Sequence, residues 1–152
     1  MMSLNQIVTI SFICLFSFTN INKPCIVYRP IQVTDTIPAF VKGNFMDDYG
    51  IRYNITDSLW TQKPGIKYHI IKWNIKEQYL IAKNDDKNPS EAGLYSRIDY
   101  MPLKNIQPFG WGFCLTVYNA KTDSIAEFST KADRENPKKG CGGFPFSRMK
   151  RI

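Results

Sequence analysis

The stretch that decides the fold is "IRYNITDSLWTQKPGIKYHIIKWN", which covers residues 51–74. Its first six residues place Ile51, Tyr53 and Ile55 on one face and polar side chains on the other, with the period of a half-buried β-strand. The proline and glycine of "KPG", residues 63–65, suit a tight turn between two further strands. The stretch therefore predicts consecutive antiparallel strands joined by short turns.

The same strand pattern recurs along the rest of the chain. Residues 78–83, 93–101 and 111–119 have strand character, and polar or proline-containing loops separate them. A last strand is predicted over residues 144–150, where the chain returns to close the sheet. Together these segments predict an antiparallel meander of about seven strands, or a small barrel.

One segment departs from this alternation. In residues 122–134, "TDSIAEFSTKADR", the side chains of Ile125, Phe128 and Ala132 follow helical spacing, which predicts a short helix after the meander. The fold class is therefore mainly β: a small antiparallel meander or barrel with one short C-terminal helix. With 152 residues, the chain has room for one ordinary domain, predicted over residues 39–152.

The amino terminus has the character of an export signal. Residues 7–18 are almost all apolar, but twelve residues are too few for a membrane-spanning helix, which needs about 20. The run matches the apolar core of a secretory signal, so residues 1–19 are predicted to be a signal peptide and 20–38 an extended lead-in. A buried N-terminal strand is the alternative. The predicted location is secreted, periplasmic or cell envelope, with no transmembrane segment in the mature chain.

The cysteines fit an oxidising compartment. Removal of the signal would remove Cys14 and leave Cys25, Cys114 and Cys141. We expect Cys114 and Cys141 to form a disulfide, because Cys114 lies in a strand and glycines let the chain around Cys141 turn sharply. The bond would hold Phe144, Phe146 and Met149 of the last strand against the strand that carries Trp111 and Phe113. A Cys25–Cys141 bond and a reactive Cys141 thiol are the alternatives.

Charge is concentrated at the C-terminal end. The formal net charge is +7, and residues 131–152 contain seven basic and two acidic side chains, a net of +5. Such a segment suits an anionic envelope surface, or it is simply a solvated end that keeps the protein soluble. No nucleic-acid-binding motif accompanies the charge, so nucleic acid is not a predicted partner.

Aromatic side chains are the candidate ligand-binding residues. They recur on successive strands, where they either fill a core or line a pocket with their polar ends available to a ligand. Tyr100 and Tyr118 belong to this pattern. The candidate set is Trp60, Tyr68, Trp73, Tyr79, Tyr95 and Trp111.

The catalytic motifs are weak. His69 is the only histidine, and it could act as a general base beside a carboxylate. Asp47 and Asp48 are adjacent and fit a turn better than a carboxylate pair. The sequence has no nucleophile-elbow motif and no paired C-x-x-C zinc motif, so we predict no catalytic residue, no metal and no cofactor.

The layout resembles known small barrels. "GNF" at residues 43–45, the following strands and the cysteine-linked end resemble lipocalin-type barrels over roughly residues 40–150, with Phe45 where those proteins have tryptophan. The segments "DDYGIRY", "RIDYM", "WGFC" and "GFPFSRMKR" resemble an uncharacterised family of small secreted bacterial proteins, which implies no activity.

Two functions are consistent with these observations. The first is a non-enzymatic secreted or envelope β-barrel that binds a small amphipathic ligand or an envelope partner. The alternative is a small secreted hydrolase-like enzyme that uses His69 and a carboxylate. A barrel filled by its own side chains would argue against an internal ligand site and in favour of an interaction role.

Overall fold

The computed structural model describes residues 36–152. The predicted signal peptide (1–19), most of the predicted lead-in (20–38) and Cys25 lie outside the described residues. The predictions made for those segments remain predictions.

Eight antiparallel strands form a closed barrel in which each strand pairs with the next and β8 pairs with β1. The strands predicted from the sequence are all present, and β1 precedes them. The mainly β fold with one short late helix is therefore confirmed. The strands are β1 Gly43–Asp47, β2 Arg52–Ile55, β3 Leu59–Gln62, β4 Ile66–Asn74, β5 Tyr79–Asn84, β6 Tyr95–Pro102, β7 Trp111–Ala120 and β8 Ser147–Arg151.

The turn between β1 and β2 is fixed by Asp47. One oxygen of its carboxylate accepts the backbone N–H groups of Tyr49, at 2.9 Å, and Ile51, at 2.8 Å, and the other accepts the Tyr53 hydroxyl at 2.9 Å. Gly50 takes a positive φ of 85°, which glycine adopts without steric cost. The predicted role of Asp47 in a turn is confirmed.

The interior of the barrel is filled by aromatic side chains. Trp60 is 1% exposed, and its ring meets those of Phe113 and Trp111 edge to face, with centroids 5.0 Å and 6.0 Å apart. The Tyr53 ring lies 5.5 Å from that of Phe113, and the Phe45 ring lies 5.2 Å from that of Trp111, both measured between centroids. These ring contacts follow from the period-2 pattern, which places alternate side chains of a strand on the inner face of the barrel.

A short 3₁₀ turn, Ala39–Val41, closes one end of the barrel. The ring of Phe40 packs edge to face on Tyr100 and on Trp111, with both centroids 6.3 Å away. The Arg151 guanidinium donates to the backbone oxygen of Ala39 and to that of Lys42, which ties this turn to β8. This end is called the closed end below.

The helix α1, Asp123–Phe128, is shorter than the segment predicted to form it, and its buried residue is Ala126. Ala126 is fully buried against the outside of the barrel, whereas Ile125 is 49% exposed and Phe128 is 79% exposed. A small alanine lets the helix backbone lie close to the sheet, so the larger side chains turn outward. The Ser129 hydroxyl donates to the Ile125 carbonyl, and the chain leaves the helix there.

The predicted Cys114–Cys141 disulfide is present. Cys114 lies on the outer face of the barrel, where it packs with Phe146 and with Ala132 from the segment after α1. The prediction that Phe144 packs on the barrel is wrong, because its side chain is 73% exposed. The predicted packing of Phe146 and Met149 is confirmed, because both side chains are buried and Met149 lies opposite Trp111 in the ladder.

Candidate functional site

The most distinctive feature of the barrel is a free edge on β7. β6 pairs with β7 as far as Ala120, but β8 pairs only with Trp111–Phe113. Within the described residues, the backbone of β7 from Cys114 to Ala120 therefore has no strand beside it on the β8 side. We call this segment the free edge; it lies at the end opposite the closed end.

Pro145 explains why β8 does not cover this edge. Proline has no backbone N–H to donate to a ladder. The N–H of the next residue, Phe146, donates instead to the Pro137 carbonyl at 2.9 Å, so the chain leaves the ladder at this point. The segment before β8 therefore leaves the β7–β8 ladder, and the Cys114–Cys141 disulfide joins it to the outer face of β7.

Two depressions follow the free edge. The larger has a volume of about 540 Å³, and its twelve lining residues include no charged side chain. The second, of about 340 Å³, continues along β7 toward α1, and Thr116, Tyr118 and Thr130 line both. Together they are called the β7 groove. The residues lining the larger part are Tyr49, Phe113, Cys114, Leu115, Thr116, Tyr118, Thr130, Cys141, Gly142, Phe144, Pro145 and Ser147.

Three exposed aromatic side chains surround the larger part of the groove. Tyr49 is 71% exposed, Phe144 is 73% exposed and Tyr118 is 50% exposed. Asp47 positions Tyr49 through the turn described above. Phe144 is positioned by two reciprocal backbone hydrogen bonds with Cys141. Exposed aromatic rings grouped around an uncharged groove are typical of an interaction site.

A smaller pocket of about 250 Å³ lies beside the groove, at the same end of the barrel. Tyr68, Leu115 and Tyr118 line part of it. Burial and the nearby charge of Glu91 raise the pKa of Tyr68, so its phenol stays protonated at neutral pH. Asn84 lies at the pocket and is held by bonds to the carbonyls of Tyr118 and Glu91.

The structure does not bring the six predicted aromatic residues into one pocket. Trp60 and Trp111 lie in the filled core, and Tyr68 lines the small pocket. Trp73 lies near the closed end, where its ring packs on Tyr100 and its indole N–H donates to the Asp57 carbonyl. Tyr79 and Tyr95 lie outside the barrel, packed near α1. A ligand-binding role for these residues remains a prediction.

Tyr79 belongs to a polar cluster that attaches α1 to the barrel. Its hydroxyl donates to the Glu127 carboxylate, which also accepts from Lys72 at 2.6 Å. The Arg97 guanidinium lies over the Tyr79 ring, 3.8 Å from its centroid. Bonds from Lys72 and Tyr79 lower the pKa of Glu127. These contacts indicate a structural role for this cluster.

His69 has a carboxylate partner, as the enzymatic alternative requires. Its Nε2 lies 2.7 Å from Asp85 Oδ2, and this bond is the main reason that the pKa of Asp85 is lowered. The depression around the pair is lined by His69, Lys83, Asn84, Asp85, Asp86 and Lys87, which supply no hydroxyl or thiol nucleophile. Among residues 36–152, no group of three or more His, Cys, Asp or Glu side chains could hold a metal ion.

Several basic residues of the C-terminal segment have structural partners. Arg148 pairs with Asp48 at 2.8 Å and lies over the Phe109 ring. Arg134 binds Asp99 at 2.9 Å, and Arg151 holds the 3₁₀ turn. These basic side chains therefore form ion pairs or hydrogen bonds within the protein. Contact between this segment and an anionic surface remains a prediction.

Few features of the sequence indicate the β7 groove. Tyr118 was visible in the aromatic pattern, but Tyr49 and Phe144 lie in a turn and in a glycine-rich loop, where periodicity carries no information. Pro145 was the available signal, because a proline inside a predicted strand marks the point where pairing stops. Residues 144–146 are accordingly outside β8.

None of the helices in the described part of the chain combines the length and apolar character needed to cross a bilayer. Comparison with protein-family models, curated proteins and solved structures finds no match. The resemblances to lipocalin-type barrels and to small secreted bacterial proteins therefore remain predictions from the sequence.

Proposed function

We propose that this protein is a non-enzymatic binding module of the cell envelope or extracellular space, and that it binds an amphipathic partner in the β7 groove. The observation that carries the proposal is the contrast between the two candidate sites. The barrel interior is packed with aromatic rings, whereas the groove is open, uncharged along its larger part and surrounded by exposed aromatic side chains.

The chemistry of the groove suits an amphipathic partner. Leu115, Phe113 and Pro145 supply apolar surface, and Thr116, Thr130 and Ser147 supply hydroxyl groups that can orient a polar end. Binding sites for small molecules and for peptides share this combination of apolar wall and few polar groups. An envelope protein and a small amphipathic ligand would both fit this description.

Export is part of the proposal. The apolar run over residues 7–18 supports it, and the Cys114–Cys141 disulfide is consistent with it because such bonds persist in oxidising compartments. The disulfide also lines the groove, so oxidation would build the site as the protein folds outside the cytoplasm. Intact-mass measurement of the protein from producing cells tests export, and a full-length cytoplasmic chain would contradict it.

A binding experiment tests the groove. Labelled protein is titrated with envelope extract from the producing cells, and native mass spectrometry of the purified protein looks for a retained small molecule. Replacing Tyr118 and Phe144 by Ser should weaken binding about tenfold or more, as removal of aromatic contacts at an interface typically does. Phe128→Ser is the matched control, because Phe128 is 79% exposed and lines neither part of the groove.

Three results would contradict the proposal. One is unchanged binding by the double variant. Another is an equal loss with Phe128→Ser, which would mean that general surface hydrophobicity is responsible. A molecule found inside the barrel would also move the site away from the groove.

A further inference from the structure

The free edge of β7 is long enough to pair with another strand. It covers seven residues, Cys114–Ala120, which span about 23 Å in extended conformation. On the other side β6 pairs with Cys114, Leu115, Val117 and Ala120, with register shifts between Leu115 and Val117 and between Val117 and Ala120. β7 nevertheless remains a strand as far as Ala120, so its backbone is extended along the edge.

The composition of this edge is unusual for an unpaired strand. Natural proteins commonly protect such edges with lysine, proline or inward-pointing charge. Residues 114–120, "CLTVYNA", contain no proline and no charged residue, and Leu115, Thr116, Val117 and Tyr118 all favour strands. An edge with this composition readily accepts another strand.

The β7 groove has the shape that an added strand needs. Its two parts run along β7 from Phe113 to Lys121 and share three lining residues, so they form one continuous path. Phe144 and Tyr49 lie at one end and Ile125 at the other. A strand in this path would place alternate side chains against these apolar groups.

We propose that the free edge binds an extended, uncharged segment of a partner protein, which adds as a β-strand antiparallel to β7 and continues the line of β8. This inference rests on the proposed function, since it names the class of partner for the same groove. The partner follows from two observations. The existing β7–β8 ladder stops at Phe113 and Ser147 with the β7 backbone continuing, and the larger part of the groove offers no charged side chain.

A small amphipathic molecule fits the edge less well. It would contact the side chains of the groove, but it would leave the segment without a strand partner on the β8 side. A peptide strand supplies backbone donors and acceptors along that whole length and also places side chains in the groove.

Peptide selection followed by hydrogen exchange tests the inference. The full chain purified from producing cells is used to select peptides from a phage-displayed library of random dodecapeptides, and the selected peptide is then synthesised. NMR-detected exchange is measured with and without it. We expect amides within residues 114–120 to exchange about tenfold or more slowly with the peptide bound, because strand pairing protects them.

A pair of variants at Asn119 makes the test specific for the edge. Asn119 is exposed and lines the groove. Asn119→Lys adds the residue that natural edges use to prevent pairing, so peptide binding should weaken about tenfold or more. Asn119→Gln keeps the side chain uncharged and should bind as the wild type does. Circular dichroism of both variants verifies that the barrel is folded.

The outcomes separate this inference from the proposed function. One outcome is a peptide whose binding is weakened by substitution of Tyr118 but which leaves the amide exchange of residues 114–120 unchanged. This result would reject strand addition, and the groove would remain a binding site. Failure to select any peptide would also reject strand addition. If the envelope-extract experiment likewise shows no dependence on the groove, the proposed function fails too. Slow exchange of these amides without peptide would show that another part of the chain covers the edge. Slow exchange that appears only when dimers form would show that a second copy covers it. Either result would overturn the inference of a partner strand.

Discussion

Arg97 and Asp99 are two residues apart on β6 and form a two-bond ion pair that is hidden from solvent, with 1% and 0% of the side chains exposed. Arg97 Nε and one terminal nitrogen donate to the two Asp99 oxygens at 2.8 Å and 2.9 Å. Thr116 and Arg134 donate to the same carboxylate. Asp99 thus links β6, β7 and the segment after α1 on the outside of the barrel.

Loss of the Asp99 charge should destabilise the fold strongly. Asp99→Asn would leave the Arg97 guanidinium buried without a counter-charge, which typically costs about 3–5 kcal/mol. The measurement is the free energy of unfolding in urea. Asp57→Asn is the control, because the Lys42–Asp57 pair is exposed and should contribute less than about 1 kcal/mol. Equal costs for the two variants would show that the buried network is not a main support of the fold.

Removal of the disulfide should lower stability without changing the barrel. Cys114 and Cys141 are 27 residues apart, and a loop of that length predicts about 3.5 kcal/mol from chain entropy. Replacement of both by alanine should lower the free energy of unfolding by about that amount while the far-UV circular dichroism is kept. A loss below about 1 kcal/mol would mean that the loop around Cys141 is held mainly by its backbone bonds.

Loss of the hydroxyl should change the free energy of unfolding differently at two buried tyrosines. The Tyr53 hydroxyl donates to Asp47, so Tyr53→Phe removes a buried bond to a carboxylate and should cost about 1–3 kcal/mol. Within the described residues, the Tyr100 hydroxyl has no hydrogen-bond partner, so Tyr100→Phe should be neutral or stabilising. Urea unfolding at neutral pH compares them. A larger cost at Tyr100 would contradict this assignment.

Stability should fall in alkaline solution because of the buried tyrosines. Burial is the main cause that raises the pKa of Tyr100 to about 12, and burial with the bond to Asp47 raises the pKa of Tyr53 further. Unfolded tyrosines lose their protons near pH 10 while the folded ones keep theirs. The stabilisation is therefore complete below pH 10 and decreases above it, by about 1.4 kcal/mol per pH unit for each tyrosine.

The same substitution tests this pH dependence. The Tyr53→Phe variant lacks the Tyr53 phenol and therefore its loss of a proton on unfolding. Its free energy of unfolding should fall less steeply than that of the wild type between about pH 10 and about pH 11. Urea unfolding across this range measures the slope. An identical slope in the variant would show that Tyr53 loses its proton equally in the folded and unfolded chains.

The barrel was predictable because its strands are amphipathic and its turns have local signatures. The predicted β4 segment matches Ile66–Asn74, since alternation and the "KPG" turn both mark its start. The helix follows the meander as predicted. Its buried face is less predictable, because the close approach of the helix to the sheet depends on the small Ala126, whereas the spacing of Ile125 and Phe128 indicates only a helix.

The site was less predictable than the fold for a physical reason. In the sequence, Trp60 and Trp111 favour a core but are also compatible with a ligand pocket, and ring-to-ring packing distinguishes the two. The β7 groove depends on where the β7–β8 ladder stops and on how the disulfide presents Phe144. Both are tertiary relationships between segments separated by about 30 residues, which local periodicity does not encode.

Hydroxyl-radical footprinting of the protein in its producing cells most directly tests whether the β7 groove is the binding surface. Modification of Tyr49, Tyr118 and Phe144 is compared between the protein in intact producing cells and the purified protein, with Phe128 as the exposed reference. We predict that the three groove residues are protected in cells while Phe128 reacts equally in both samples. Equal reactivity of the groove residues in both samples, or protection confined to another face such as that around His69, would contradict the proposal.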